Sequence, residues 1–187
     1  MREIRLVGDP VLRKKAHKVS RFGASLAALV DDMTETMREA NGVGLAAPQV
    51  GVLERVIVIE TAEDEDEPGS GKLYALINPK VVRASQEMED GIEGCLSVPG
   101  YVGEVNRHQA VTVQGQDLKG RKVRVKAQDF LARVFQHEID HLEGKLFIDK
   151  LTAPDRVWSV EPGEEESTEA QGDTTHLTPV VLPLAGA

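Results

Sequence analysis

The chain has 187 residues, a length that suits one domain, and its 41% hydrophobic and 28% charged residues exclude wholesale disorder or a fibrous repeat. Aromatic residues make up only 4%, too few for a base-stacking platform, and the net charge of −9 argues against polyanion partners. The single cysteine, Cys95, excludes an intrachain disulfide and leaves that thiol as core filler, nucleophile or metal ligand.

The acidity is local. Residues 60–71 hold six acids and no base, residues 159–187 another six and no base, and the rest of the chain carries a net +3. Both acidic stretches read as solvated, mobile segments. Met1–Pro10 has charges where a signal peptide needs an apolar core, and no apolar run approaches the ~20 residues that cross a bilayer. A cytoplasmic protein with no membrane partner is the expectation.

In chain order, residues 1–12 read as an extended arm ending near Asp9-Pro10. Residues 25–40 predict an amphipathic helix, with Leu26, Leu29, Val30, Met33 and Met37 on one buried face, Ser25 as cap and Asn41-Gly42 as stop. Residues 42–51 (GVGLAAPQVG) are too rich in glycine, and too broken by Pro48, for a helix or a central strand. Val52–Glu60 predicts a strand from its β-branched run, and Leu73–Ile77 and Lys80–Ala84 two more, divided at Asn78-Pro79. Residues 91–100 (GIEGCLSVPG) are a second glycine-punctuated stretch. Val111–Gln116 and Val123–Ala127 alternate around the turn Asp117–Gly120, which predicts a hairpin. Asp129–Glu143 predicts a second helix, stopped by Gly144. Leu146–Pro154 closes the compact region. The acidic tail ends in VVLPLAGA, compatible with an edge strand or a mobile end.

The second helix carries His137-Glu138-Ile139-Asp140-His141. Histidines four apart project from one face, one turn apart, so both imidazoles can reach one cation, while Glu138 can reach a bound water without ligating. Phe130 and Val134 share that stripe, so the ligand face is buried against apolar groups. A catalytic site needs a third protein ligand and a position left open. Downstream, Glu143, the acidic tail and His176 offer no ligand pattern. Upstream, Cys95 sits beside Gly94, and a thiolate is a good ligand for iron or zinc. In the first glycine-rich stretch no Lys-Ser/Thr follows, so phosphate binding is excluded. Its exposed amides and Gln49 suit pairing with a peptide backbone and stabilising an oxyanion.

Taken in order, GVGLAAPQVG, EGCLSVPG and QHEIDHLEG resemble the three signature motifs of the peptide deformylases, with DPVLR and INP also matching, over residues 1 to about 154. The resemblance implies removal of the formyl group from the N-terminal formyl-methionine of newly made proteins, through metal-hydroxide attack with a Glu acid/base. It implies Cys95, His137 and His141 as metal ligands, Glu138 as the acid/base, and Gln49 with the Leu96 N–H as oxyanion donors. Val43, Gly44 and Gly94 would line the peptide cleft, with Val43, Phe130, Val134 and His137 near the methionine pocket. Glu93 and Arg107 would form an ion pair that fixes the cysteine loop, and Arg133 would alter the pocket edge. The implied cofactor is one divalent ion, natively Fe(II), which Zn or Ni can replace. The implied partners are N-formylmethionyl nascent peptides and the ribosome exit region, with no direct nucleic-acid readout. An HExxH endopeptidase would leave Cys95 and Gln49 idle, and a structural metal clip would not require Glu138.

The expected fold is α+β, with antiparallel sheets packed around a central HExxH-bearing helix and an N-terminal amphipathic helix. Residues 1–158 form the expected catalytic domain and 159–187 an acidic tail.

Overall fold

The computed structural model describes residues 1–161, 174 and 177–180. Helix α1 (Ala24–Glu39) buries Leu26, Leu29, Val30, Met33 and Met37, the two methionines completely. Its cap is Gly23 rather than Ser25, and no side chain caps it. Asn41, at φ +53°, ends it. The arm before it is strapped to its outer face: the Met1 amino group pairs with Glu35 at 2.5 Å and Arg2 with Asp32 at 3.0 Å. Pro10–Arg13 forms a short 3-10 turn.

Two antiparallel sheets follow, the α+β class expected. The first has the order β1 (Gly44–Ala46), β2 (Val56–Ile59), β3 (Tyr74–Ala84), β6 (Ala110–Gln116), β7 (Lys122–Gln128). The second runs β4 (Met88–Glu93), β5 (Tyr101–His108), β8 (Val157–Ser159), β9 (Thr178–Pro179). Helix α2 (Asp129–Leu142) packs against strands of the first sheet and against β5 of the second.

Strand β2 shows why the core forms where it does. All four of its residues are fully buried. Val56 and Val58 pack into the cluster with Met33 and Met37 of α1, whereas Ile57 and Ile59 pack with Leu131 and Phe135 of α2. A strand covered on both faces reads as a continuous β-branched run, which is the pattern in the sequence.

The two strands expected on either side of Asn78-Pro79 are one strand. Asn78, at φ +54°, sits in a register shift between Ile77 and Lys80, and its side chain replaces the missing ladder bonds. Its Nδ2 donates to Val19 O and Gln116 Oε1, and its Oδ1 accepts from Val19 N. A bulge thus absorbs the proline that cannot donate. The hairpin β6–β7 forms as expected, with Val113 opposite Val125. Strands β1, β4, β5 and β8 have no counterpart in the sequence reading; β1 is an edge strand within the stretch expected to hold neither a helix nor a central strand. The acidic tail lies largely outside the described residues, as do residues 181–187 of its apolar end.

The acidic loop 60–71 is not merely solvated. Glu67 Oε1 accepts from Leu131 N at 2.6 Å, at the start of α2, and Tyr74 donates its hydroxyl to Gly69 O at 2.8 Å. Ser70 Oγ accepts from Asp64 N and donates to Asp64 O. Glu67 therefore caps a helix whose own cap residue, Gln128, supplies no side-chain bond. Glu67→Ala should lower stability by about 1 kcal/mol, the typical loss of an N-terminal cap. Denaturant unfolding measures it; an unchanged midpoint would show that water serves the Leu131 N–H equally well.

Candidate metal centre

Helical geometry sets the first two donors. α2 presents His137 and His141 one turn apart, with Nε2 atoms 3.2 Å from each other and ring centroids 5.0 Å apart. Phe147 stacks on the His137 ring at 6.3 Å. The third donor comes from the turn after β4, where Val98 N closes on Cys95 O. There Cys95 Sγ lies 3.3 Å from His141 Nε2, and the three donor atoms all fall within 4.8 Å of one another.

Around this triad, Gln49 is buried in a 3-10 turn (Ala47–Val50). Its Oε1 accepts from Ala46 N at 2.8 Å, which aims Nε2 at Ser97 Oγ (3.2 Å) and at Cys95 Sγ (3.5 Å). The Leu96 N–H, beside the sulfur, donates to no group among the described residues. Glu138 is buried, and its carboxylate lies so close to the Gly44 Cα that any Cβ there would overlap it. Gly42 is bare for a similar reason: a Cβ would fall 2.7 Å from Leu96 Cδ1. Val43, Phe130 and Val134 belong to one apolar cluster. Gly94 joins Glu93 to Cys95.

A buried charge network backs the triad. Glu93 Oε2 accepts from His137 Nδ1 at 2.9 Å, and Arg107 grips the same carboxylate with Nε (2.8 Å) and Nη2 (2.9 Å). Arg107 Nη1 also reaches Asp140 at 2.5 Å, which in turn meets Lys150 at 3.0 Å. Burial alone would push the Glu93 carboxyl up; the hydrogen bonds from Arg107 and His137 outweigh it and hold it far below the usual carboxylate range. Burial likewise opposes charge on Arg107, but Glu93 and Asp140 raise it above an ordinary guanidinium. Arg133, expected at a pocket edge, instead turns into this network and is 9% exposed. Its side chain lies flat on Gly91 and reaches Glu93 Oε1 at 3.1 Å.

These donors suit a divalent cation. Burial and the neighbouring His137 drive His141 well below the usual imidazole value, so it is held neutral, the form that ligates. Its Nδ1 is buried with no hydrogen-bond partner among the described residues. His137 moves the other way: burial opposes its charge, but Cys95 and Glu93 hold it well above the usual imidazole value, so a cation would displace a proton there, while Glu93 on Nδ1 leaves Nε2 turned toward the sulfur. Cys95 Sγ and His137 Nε2 lie 3.3 Å and 3.2 Å from His141 Nε2, distances that match edges of a tetrahedron with metal bonds of about 2.0–2.3 Å.

Gln49, Glu93, Cys95, Arg107 and the two histidines thus meet from four separate segments, whereas Val43, Phe130 and Val134 are grouped only by their shared apolar cluster. Ser97, Asp140 and Phe147 were not singled out. Ser97 and Asp140 lie inside quoted motifs, where their polarity was a usable signal; nothing in the sequence marks Phe147.

A family model described as polypeptide deformylase matches residues 1–157. A peptide deformylase of Symbiobacterium thermophilum is 52% identical over 165 residues, covering 87% of this chain and 72% of the relative. One of Thermomicrobium roseum is 48% identical over 175 residues, covering 93% and 99%. The crystal structure of peptide deformylase from Ehrlichia chaffeensis superposes with a TM-score of 0.77 at 44% identity, over 81% of this chain and 88% of that one.

The triad should take up one Zn2+ per chain, followed by chelator competition. Cys95→Ser should weaken that uptake by more than about tenfold, since even changes behind the ligands cost that much. Equal affinity would remove the sulfur from the site.

Proposed function

This chain belongs to the peptide deformylase family, whose enzymes remove the formyl group from an N-terminal methionine, and on that premise we propose how its own residues carry out the reaction. Cys95, His137 and His141 hold one divalent ion; the carrying observation is the convergence of these three donor atoms within 4.8 Å. Fe(II) is the proposed native ion, with Zn or Ni able to replace it, because a His2Cys set suits all three. Bound there, the ion acts as a Lewis acid that acidifies water and polarises the formyl carbonyl.

Val43, Gly44 and Gly94 line the cleft that receives the peptide backbone, and Val43, Phe130 and Val134 with His137 flank the methionine side chain. The shared apolar cluster of Val43, Phe130 and Val134 supports that grouping. Glu138 removes a proton from the attacking water as its oxygen bonds to the formyl carbon. Gln49 Nε2 and the Leu96 N–H receive the negative charge that develops on the formyl oxygen. Gln49 is suited to this because its 3.5 Å contact to sulfur is weak and easily exchanged, while the Ala46 bond keeps the amide aimed. The Leu96 N–H has no competing acceptor among the described residues. The carbon–nitrogen bond then breaks, and Glu138 passes its proton to the leaving amine. Formate and a free N-terminus result. Glu138 carries out both proton transfers from a buried position beside the bare Gly44 backbone.

The substrates proposed are N-formylmethionyl nascent peptides, met in the cytoplasm near the ribosome exit region. No helix among the described residues is long and apolar enough to cross a membrane. Catalysis is assigned to residues 1–158 and none to the acidic segment 159–187, which contains no residue of the site.

Glu138→Gln should keep its metal and lose deformylation of a formyl-Met peptide by at least about 100-fold, the scale of a general acid/base contribution. Metal content and turnover measured anaerobically on one sample test this; undiminished turnover would remove Glu138 from the mechanism. Gly44→Ala probes the same carboxylate without touching it. The added methyl overlaps the Glu138 carboxylate, so kcat should fall while metal content holds, and wild-type kcat would show that Glu138 works from another position.

A further inference from the structure

Arg133 occupies helix α2 one turn before His137, yet it contributes nothing to the ligand face. Its guanidinium lies against β4 and β5. Nη1 donates to Val105 O at 2.8 Å, to Glu93 Oε1 at 3.1 Å and, at 3.4 Å, to Gly91 O; Nη2 donates to Glu89 O at 2.9 Å. The position is built for a flat cation. A Cβ on Gly91 would lie 2.6–2.9 Å from the guanidinium atoms, so only glycine leaves the room.

The Glu93 carboxylate shows what the second guanidinium adds. Oε2 accepts from His137 Nδ1 and Arg107 Nη2, while Oε1 accepts from Arg107 Nε and Arg133 Nη1. Arg107 alone supplies the opposite charge and a two-pronged grip, so neutralising Glu93 does not require Arg133. Arg107, however, comes from β5, next to the strand that bears Glu93, and it reaches helix α2 not through that carboxylate but with its remaining nitrogen, Nη1, on Asp140. Arg133 comes from the same helix as His137. It closes a ring: helix to Glu93 through Arg133, and Glu93 back to the same helix through His137, four residues on.

We infer that Arg133 is a positioning residue that sets the Glu93 carboxylate relative to helix α2, so that Oε2 fixes the His137 ring with Nε2 aimed at the cation and the adjoining Gly94-Cys95 is delivered at ligating distance. This rests on the reading of Cys95, His137 and His141 as the metal ligands. A planar fork is required, since one ammonium cannot serve a carboxylate and three carbonyls lying in different directions. Lysine at 133 would keep the charge and lose the setting.

The test measures Zn2+ affinity by chelator competition on the wild type, Arg133→Met, Arg133→Lys, Glu93→Gln and the double variant Arg133→Met/Glu93→Gln. The visible spectrum of the Co2+-loaded proteins is recorded alongside. Arg133→Met and Arg133→Lys should each weaken binding by about 10- to 100-fold, the usual cost of losing support behind a ligand, and shift the Co2+ bands. The double variant should bind no more weakly than Glu93→Gln, because an effect that passes through Glu93 disappears when Glu93 is altered. Wild-type affinity and spectrum in both single variants, or losses that simply add, would overturn the proposal and leave Arg133 as a strut between helix and strand. If Arg133→Met does not fold, the comparison is made with Arg133→Lys alone and paired with Glu93→Gln. A wild-type protein that binds no Zn2+ or Co2+ overturns both the metal reading and this one, whereas normal wild-type binding with unaffected variants overturns this one only.

Discussion

A single buried carboxylate, Glu93, ties the second sheet to the helix that carries both histidines. It is 3% exposed and takes hydrogen bonds from Arg107, Arg133 and His137. Removing a carboxylate from water is costly, and the cost is met only where several donors converge on it; removing one partner of such a pair costs about 3–5 kcal/mol. The arrangement is therefore stable only when β4, β5 and α2 are all in place. Because Cys95 follows Glu93 by two residues, the same convergence that satisfies the carboxylate brings the thiol to the imidazoles. Folding and assembly of the site are one event.

The helix has a second task that its packing makes possible. Leu131, Phe135 and Leu142 of α2 join the main core, and the same helix presents His137, Glu138 and His141, all largely or fully buried, beside Cys95. Burial there, with His137 alongside, keeps His141 neutral. Such a crowded space requires bare backbone next to it. Gly42 and Gly44 supply it, because side chains there would overlap Leu96 and Glu138. The glycines of the first motif thus answer mainly to close approach and less to turning.

The charge distribution acquires a similar explanation. The acidic loop 60–71 is a surface segment by composition, yet one of its acids reaches the first turn of α2, where unpaired N–H groups and the helix dipole favour an anion. Burial raises the Glu67 carboxyl even so, ahead of the opposing Leu131 N–H. One residue in a run of like charges thus does a different job from its neighbours, and composition averages over it.

Residue types and spacing within single segments determined a good deal. The period of α1, the doubly buried run of β2, the β6–β7 hairpin and the two histidines on one face of α2 are local properties, set by backbone geometry within a few residues. The three motifs with their order carried the site's membership. What the sequence left open depends on contacts between distant segments. Strands β4 and β5 escaped notice because residues such as Glu89, Asp90, Glu104 and Arg107 break the apolar alternation, and their polarity makes sense only once Arg107 and Arg133 are seen to meet Glu93. The division expected at Asn78-Pro79 vanished because the Asn78 side chain bonds to Val19 and Gln116, 59 and 38 residues away. The place of Arg133 was decided by the bare Gly91 on another strand. A burial pattern is written along the chain; the partner that makes a buried charge tolerable is chosen across it, and only the tertiary structure supplies that choice.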